Sequence, residues 1–135
     1  MLKKVYQKID RDGFAILFTT AFGLIAFFLI QSHEMWRDEL QAWLLARDSI
    51  SITELFQNLK YEGHPGLWHL LLYPLTRISK IPESMQLLHV GIAMATVYMI
   101  MRYSPFKRFQ KILLSTGYFF IFEYTLISRN YGIGV

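Results

Sequence analysis

The chain has 135 residues, of which 53% are hydrophobic and only 18% are charged, a more apolar balance than that of an average soluble domain. It contains no cysteine, which excludes disulfide frameworks, zinc ribbons and thiol nucleophiles. The net charge of +4 does not by itself indicate nucleic-acid binding, because the basic residues lie beside apolar segments. A membrane protein is therefore the first expectation.

The first apolar segment, residues 13–30, is an uncharged run of 18 residues. As a helix it rises about 27 Å, close to the roughly 30 Å of a bilayer hydrocarbon core. No small-x-small cleavage site follows it, so the sequence favours an uncleaved anchor over a signal peptide. Lys3, Lys4, Lys8 and Arg11 precede it, and the positive-inside rule places this N-terminus in the cytoplasm.

A long outer loop, residues 31–82, is predicted to contain two or three interfacial amphipathic helices. In its first part Trp36, Leu40, Trp43 and Leu44 recur at helical spacing and form one apolar stripe. Tryptophans on such a stripe suit a membrane interface. Asp38 lies off the stripe, so its carboxylate is expected to face away from lipid.

The same loop carries two further helix signals. Ser51-x-x-Glu54 has the pattern of a capping box, and the helix that it begins is expected to end before Gly63. Residues 66–75 are apolar but fall well short of the roughly 20 residues of a spanning helix. We expect this piece to lie at the outer interface.

Two more spans are predicted, at residues 85–101 and 112–127. The loop between them is basic and is expected to be cytoplasmic. The predicted fold class is thus an all-α integral membrane domain covering residues 1–135, with three transmembrane helices and a structured extracytoplasmic loop. Its predicted location is the cell membrane, as a multi-pass protein.

Several common catalytic motifs are missing from the sequence. It has no glycine-rich phosphate loop, no dinucleotide fingerprint and no G-x-S-x-G elbow. His33 and Glu34 begin a zincin-like pattern, but the second histidine one helical turn later is missing. A soluble nucleotide-binding enzyme and a zinc protease are therefore not expected.

The adjacent carboxylates Asp38 and Glu39 are the sharpest candidate site. Acidic residues at a helix start often do no more than face water and meet the helix dipole favourably. Two neighbouring carboxylates can also supply a general base and its support, because each raises the pKa of the other when partly desolvated. Both interpretations stay open from spacing alone.

Three other residues have a structural and a functional interpretation. His64 is either a turn residue before Pro65 or a hydrogen-bond donor to an anion. Glu123 lies within the third predicted span, where an ionisable group indicates either function or helix packing near the interface. Arg129 is either an arginine reaching to lipid headgroups or a bidentate phosphate ligand.

The order of these elements resembles a known family. The chain contains a first span, WRDELQAWLLARD, an amphipathic helix, EGHPGLWHLLLYPL, a second span, a basic loop and a third span ending in EYTLISRNYGIGV. This order resembles the N-terminal part of GT-C fold glycosyltransferases, the membrane enzymes related to dolichyl-phosphate-mannose protein mannosyltransferases and bacterial family 39 transferases. The likeness covers essentially the whole chain.

The resemblance implies sugar transfer from a polyprenyl-phosphate donor to a glycan, lipid or protein acceptor at the extracytoplasmic face, with no nucleic acid involved. It implies catalytic roles for Asp38 and Glu39 and substrate-side roles for His64, Arg129 and Tyr131. In the histidine-proline loop motif, Gly66 stands where the family has a second proline. A divalent metal ion is the one cofactor that the resemblance leaves open.

Relatives of this kind have roughly a dozen spans, so the chain is expected to be a truncated portion, inactive by itself. A small non-catalytic membrane subunit or assembly factor is the alternative function. A third hypothesis is a transport or channel component that uses Glu123 and Arg129 as buried charges.

Overall fold

The computed structural model describes residues 2–61 and 66–133, and the side chains of residues 10–60 and 66–131. Every regular element within these ranges is helical and none is a strand. The α-helices are α1 (Leu2–Ile30), α2 (Arg37–Asp48), α3 (Ile52–Asn58), α4 (Leu67–Ile78), α5 (Glu83–Tyr103) and α6 (Arg108–Thr116). A π-helical segment (Phe119–Leu126) and two short 3-10 turns (Leu59–Tyr61 and Asn130–Ile133) complete the described chain.

Two helices, α1 and α5, are long and apolar enough to cross a membrane, over Asp10–Ile30 and Glu83–Tyr103. They pack against each other and, together with Leu126 of the π-helical segment, form the larger of two apolar cores. Gly23 allows a close approach, because a β-carbon there would come within 2.5 Å of the Met94 sulfur. Small residues let apolar helices approach closely in this way.

The third predicted span, residues 112–127, is not one continuous helix. The helix α6 ends at Thr116, and Gly117 adopts ψ 156°, which is extended rather than helical. The chain then winds into the π-helical segment, where four of the first six residues are aromatic. Glycine is a poor helix former because it loses the most backbone entropy on ordering, which favours the break at this position.

The outer-loop helices are confirmed as helices, but they pack on one another more than the sequence predicted. The Ser51 hydroxyl accepts from the Glu54 backbone N–H over 3.1 Å and caps α3, which ends before Gly63 as expected. The predicted stripe on α2 is divided: Trp36 is half exposed, whereas Trp43 is buried. Trp43 lies in the second apolar core with Trp68 and Leu72 of α4, because α2 and α4 pack face to face.

Charged residues connect the helices at the end of the bundle remote from α2. Arg102 pairs with Asp12, and Arg108 pairs with Asp10, so two arginines of the predicted cytoplasmic loop bind acidic residues of α1. The buried Lys111 ammonium donates to the Met101 carbonyl over 2.7 Å. These contacts join α5 to α1 and attach the start of α6 to both helices.

Candidate functional site

The candidate site lies where the N-terminus of α2 meets the segment that follows the π-helix. Asp38 is in the first turn of α2, and Arg129 lies just beyond the π-helical segment. A terminal nitrogen (Nη2) of Arg129 is 3.2 Å from Oδ2 of Asp38. Asp38 and Arg129 thus form one ion pair. As sequence features they are separate candidates, because they are 91 positions apart.

The exposure of the two partners differs. The Asp38 side chain is 54% exposed, whereas that of Arg129 is 19% exposed. The arginine is thus held mainly within the protein, and the carboxylate is open to an approaching molecule. A carboxylate with this access can accept a proton from a bound hydroxyl.

A cavity of about 140 Å³ opens beside the ion pair. Polar side chains of α2, α4 and the segment after the π-helix contribute to its wall, and an indole forms part of its lining. The lining residues are Asp38, Gln41, Ala42, Leu45, Trp68, His69, Arg129 and Asn130. A concave site where several polar groups converge beside apolar side chains is a candidate for ligand binding.

The indole nitrogen of Trp68 adds a second observation at this cavity. Trp68 is 1% exposed, and no described residue accepts a hydrogen bond from its Nε1–H. Its ring meets that of His89 edge to face, with 5.4 Å between ring centroids. A buried donor without an acceptor is uncommon, and this one belongs to a residue of the cavity wall.

Glu39, the second member of the acidic pair, is fully buried, and its carboxylate faces the protein. Its Oε2 accepts from the Trp36 backbone N–H at 2.8 Å and lies 3.0 Å from Nε2 of His33. Its Oε1 accepts from the Ser128 backbone N–H at 2.7 Å. The carboxylate therefore joins the start of α2 to the residue that precedes Arg129.

His89 of α5 also contacts this segment. It is fully buried, with Nδ1 3.1 Å from the Thr125 carbonyl and Nε2 3.1 Å from the Arg129 carbonyl. His89 lies within the second predicted span, residues 85–101, and is not among the predicted site residues. The sequence could have identified His89, because an ionisable side chain within an apolar span commonly has a function or a specific partner.

The other predicted residues are placed as follows. Tyr131 is 43% exposed, and the Arg129 guanidinium lies 5.0 Å from the centre of its ring. Glu123 is half-buried on the π-helical segment, where the Tyr118 hydroxyl donates to it over 3.4 Å. His64 and Pro65 lie outside the described residues, so the predicted role of His64 stays a prediction.

The buried Glu39 carboxylate is not arranged to receive a divalent cation. Among the side chains that the structure describes, no group of three or more histidine, aspartate and glutamate residues is arranged to hold a metal ion. Both oxygens of Glu39 already face N–H donors, which a cation would have to displace. The donor chemistry around Glu39 therefore does not fit the divalent ion that the resemblance left open.

Comparison with known proteins gives no match: no family model, no curated protein and no solved structure is similar to this chain.

Proposed function

We propose that the protein acts in glycosyl transfer, moving a sugar from a polyprenyl-phosphate donor to an acceptor hydroxyl at the extracytoplasmic membrane face, in the manner of GT-C enzymes. The observation that carries the proposal is the ion pair between Asp38 and Arg129 on the rim of the cavity. A base for the acceptor and a cation for the departing phosphate are the two charges that this reaction needs.

A membrane setting is supported by the surface of α1. Seven large apolar side chains of this helix are exposed, and their area has no cover within the described residues. Soluble proteins rarely expose contiguous apolar surface of this extent, and lipid is a suitable cover for it. The exposed residues are Ile16, Leu17, Leu24, Ile25, Phe27, Phe28 and Leu29.

The proposed topology has three passages through the plasma membrane, with the N-terminus in the cytoplasm. The third passage is the broken helix formed by α6 and the π-helical segment. Support comes from its two ends: Arg108 pairs with Asp10 at one end of the bundle, and Ser128 binds Glu39 at the other. A break at Gly117 is tolerated in a membrane where neighbouring helices cover the backbone.

The proposed chemistry is a single displacement with inversion. The acceptor oxygen forms a bond to the anomeric carbon while Asp38 takes its proton, and the bond from that carbon to the phosphate oxygen breaks. The lipid phosphate leaves with the electron pair, and its growing negative charge is stabilised by Arg129. In this scheme Glu39 positions the helix that carries Asp38, and no step is assigned to a metal ion.

The test is sugar transfer in membranes of cells that express the protein from its native locus. Radiolabelled polyprenyl-phosphate sugars are supplied, and the native protein is compared with Asp38→Asn. Loss of the base is expected to reduce transfer by about 10²- to 10⁴-fold. The matched control is Asp48→Asn, which removes a carboxylate from the other end of α2, where Asp48 pairs with Arg47.

Equal transfer by the native protein and Asp38→Asn would remove Asp38 as the base. If neither protein increases transfer above that of membranes lacking the gene, for any donor supplied, the glycosyltransferase proposal fails. The non-catalytic subunit would then be the preferred function.

A further inference from the structure

In this structure the carboxylate proposed as the base and the guanidinium proposed to bind phosphate are bonded to each other. Nη2 of Arg129 lies 3.2 Å from Oδ2 of Asp38. This contact uses one oxygen of Asp38 and one terminal nitrogen of Arg129, while the Asp38 side chain stays about half exposed. A ligand that binds the same guanidinium nitrogen has to displace Asp38 from it.

The backbone of Arg129 is well anchored. Its N–H donates to the Ile127 carbonyl over 2.8 Å, and its own carbonyl lies 3.1 Å from Nε2 of His89. The guanidinium, in contrast, lies at the cavity between Asp38 and the half-exposed ring of Tyr131. The fold thus fixes the backbone of Arg129, while the charged end of its long side chain is within reach of a ligand in the cavity.

We infer that Asp38 and a phosphate ester compete for the Arg129 guanidinium, so that donor binding releases the base. The inference rests on the proposed function for the identity of the phosphate. A guanidinium presents five N–H donors and binds phosphate best through two parallel hydrogen bonds. Bidentate binding through the two terminal nitrogens uses Nη2, the nitrogen that lies beside Asp38.

An order of binding follows from this competition. The lipid-linked phosphate takes the guanidinium first, and Asp38 is then left without its cationic partner beside the cavity. Once the guanidinium is bound to phosphate, Oδ2 of Asp38 no longer contacts Nη2 and can accept a hydrogen bond from the acceptor hydroxyl. The acceptor hydroxyl therefore meets a competent base only after the donor is in place.

The test measures binding rather than transfer. The protein is purified into nanodiscs, and polyprenyl phosphate without a sugar is titrated, with inorganic phosphate in a parallel titration. Asp38→Asn is expected to bind polyprenyl phosphate about two- to fivefold more tightly than the native protein, the gain of removing a partly exposed competing carboxylate. Arg129→Gln is expected to bind at least about tenfold more weakly, and Asp38→Asn is expected to add nothing to it, because the two residues act on one contact.

Two controls separate competition from a general effect of charge. Asp48→Asn removes an equal charge from the same helix, and the hydrogen bond from Arg47 lowers the pKa of Asp48, so this carboxylate is ionised at neutral pH. The Asp48→Asn substitution is expected to leave phosphate binding unchanged. Asp38→Glu keeps a carboxylate and is also expected to show no tightening. Thermal unfolding in detergent confirms that each variant is folded.

Unchanged or weaker binding by a folded Asp38→Asn overturns the competition, even where Arg129→Gln still loses affinity. If Arg129→Gln binds as well as the native protein, Arg129 is not the phosphate ligand and the inference fails entirely. If Asp38→Asn binds inorganic phosphate more tightly than the native protein does but shows no gain for polyprenyl phosphate, the competing ligand is not lipid-linked and that part of the inference is overturned. Tightening with polyprenyl phosphate but no sugar transfer in the membrane assay supports the competition and removes the proposed function, so the two failures are distinguishable.

Discussion

The Glu39 carboxylate accepts a hydrogen bond from the Ser128 backbone N–H over 2.7 Å, across 89 positions of sequence. Each partner is next to a residue of the candidate ion pair, since Asp38 precedes Glu39 and Arg129 follows Ser128. The buried bond therefore helps to set the separation of Asp38 and Arg129. This arrangement gives the two neighbouring carboxylates different roles: one supports the structure and the other faces the cavity.

Replacing Glu39 with glutamine tests that support. The side-chain amide has one acceptor oxygen in place of two, so at least one of the N–H groups of Trp36 and Ser128 would face an amide nitrogen. Leaving buried donors without a charged acceptor is expected to lower the free energy of unfolding by about 2–4 kcal/mol. Denaturant titration in mixed micelles measures this change in the free energy of unfolding.

The control for this substitution is Glu34→Gln, because Glu34 is exposed on the segment before α2. It is expected to change the free energy of unfolding by less than about 0.5 kcal/mol. Similar changes in the free energy of unfolding from the two substitutions would contradict the supporting role of the Glu39 carboxylate.

Replacing His89 with phenylalanine tests the second support of the same segment. The ring is retained, but both contacts to the carbonyls of Thr125 and Arg129 are lost. A neutral imidazole donates from one nitrogen, so at least one of these carbonyls loses its donor, which is expected to cost about 1–3 kcal/mol and to loosen the segment around Ser128. Amide hydrogen exchange at Ser128 and Arg129 is expected to become faster.

Thr96→Val is the matched control on α5. The Thr96 hydroxyl bonds only one turn back, to the Ile92 carbonyl at 3.1 Å, so its loss leaves the other segment untouched. Exchange at Ser128 that stays as slow in His89→Phe as in this control would show that His89 does not hold the segment.

The two ion pairs at the opposite end of the bundle are expected to differ in strength. Arg102, paired with Asp12, is 12% exposed, whereas both partners of the Arg108–Asp10 pair are more than half exposed. Water and salt screen an exposed pair more effectively. Asp12→Asn should therefore lower the free energy of unfolding by about 1–2 kcal/mol and Asp10→Asn by less than about 0.5 kcal/mol. Equal losses in denaturant titration would show that burial does not distinguish the pairs.

Single-cysteine labelling tests the three-passage topology, and the native chain has no cysteine to interfere. We expect cysteines at Ser51 and at Tyr131 to react with a membrane-impermeant maleimide from outside intact cells. A cysteine at Phe106, which is 50% exposed, should react only after the membrane is opened. Labelling at Tyr131 from the same side as Phe106 would leave only two passages.

Local patterns in the sequence were sufficient to predict most of the helices. The uncharged run of residues 13–30 predicts the apolar part of α1, and Ser51 with Glu54 predicts the start of α3, because each signal depends on neighbours within a turn or two. The predicted third span was wrong as a continuous helix. Hydropathy averages over a window, so it does not register the single backbone change at Gly117.

Composition and local spacing determined the helical class, the apolar spans and the presence of an acidic pair at the start of α2, because these properties depend on side-chain polarity and short-range periodicity. Tertiary structure alone decided which carboxylate is buried and which is open, and it brought Arg129 to Asp38. Adjacent residues on a helix point in directions about 100° apart. Which of them meets the protein interior therefore depends on where the distant segment around Ser128 packs.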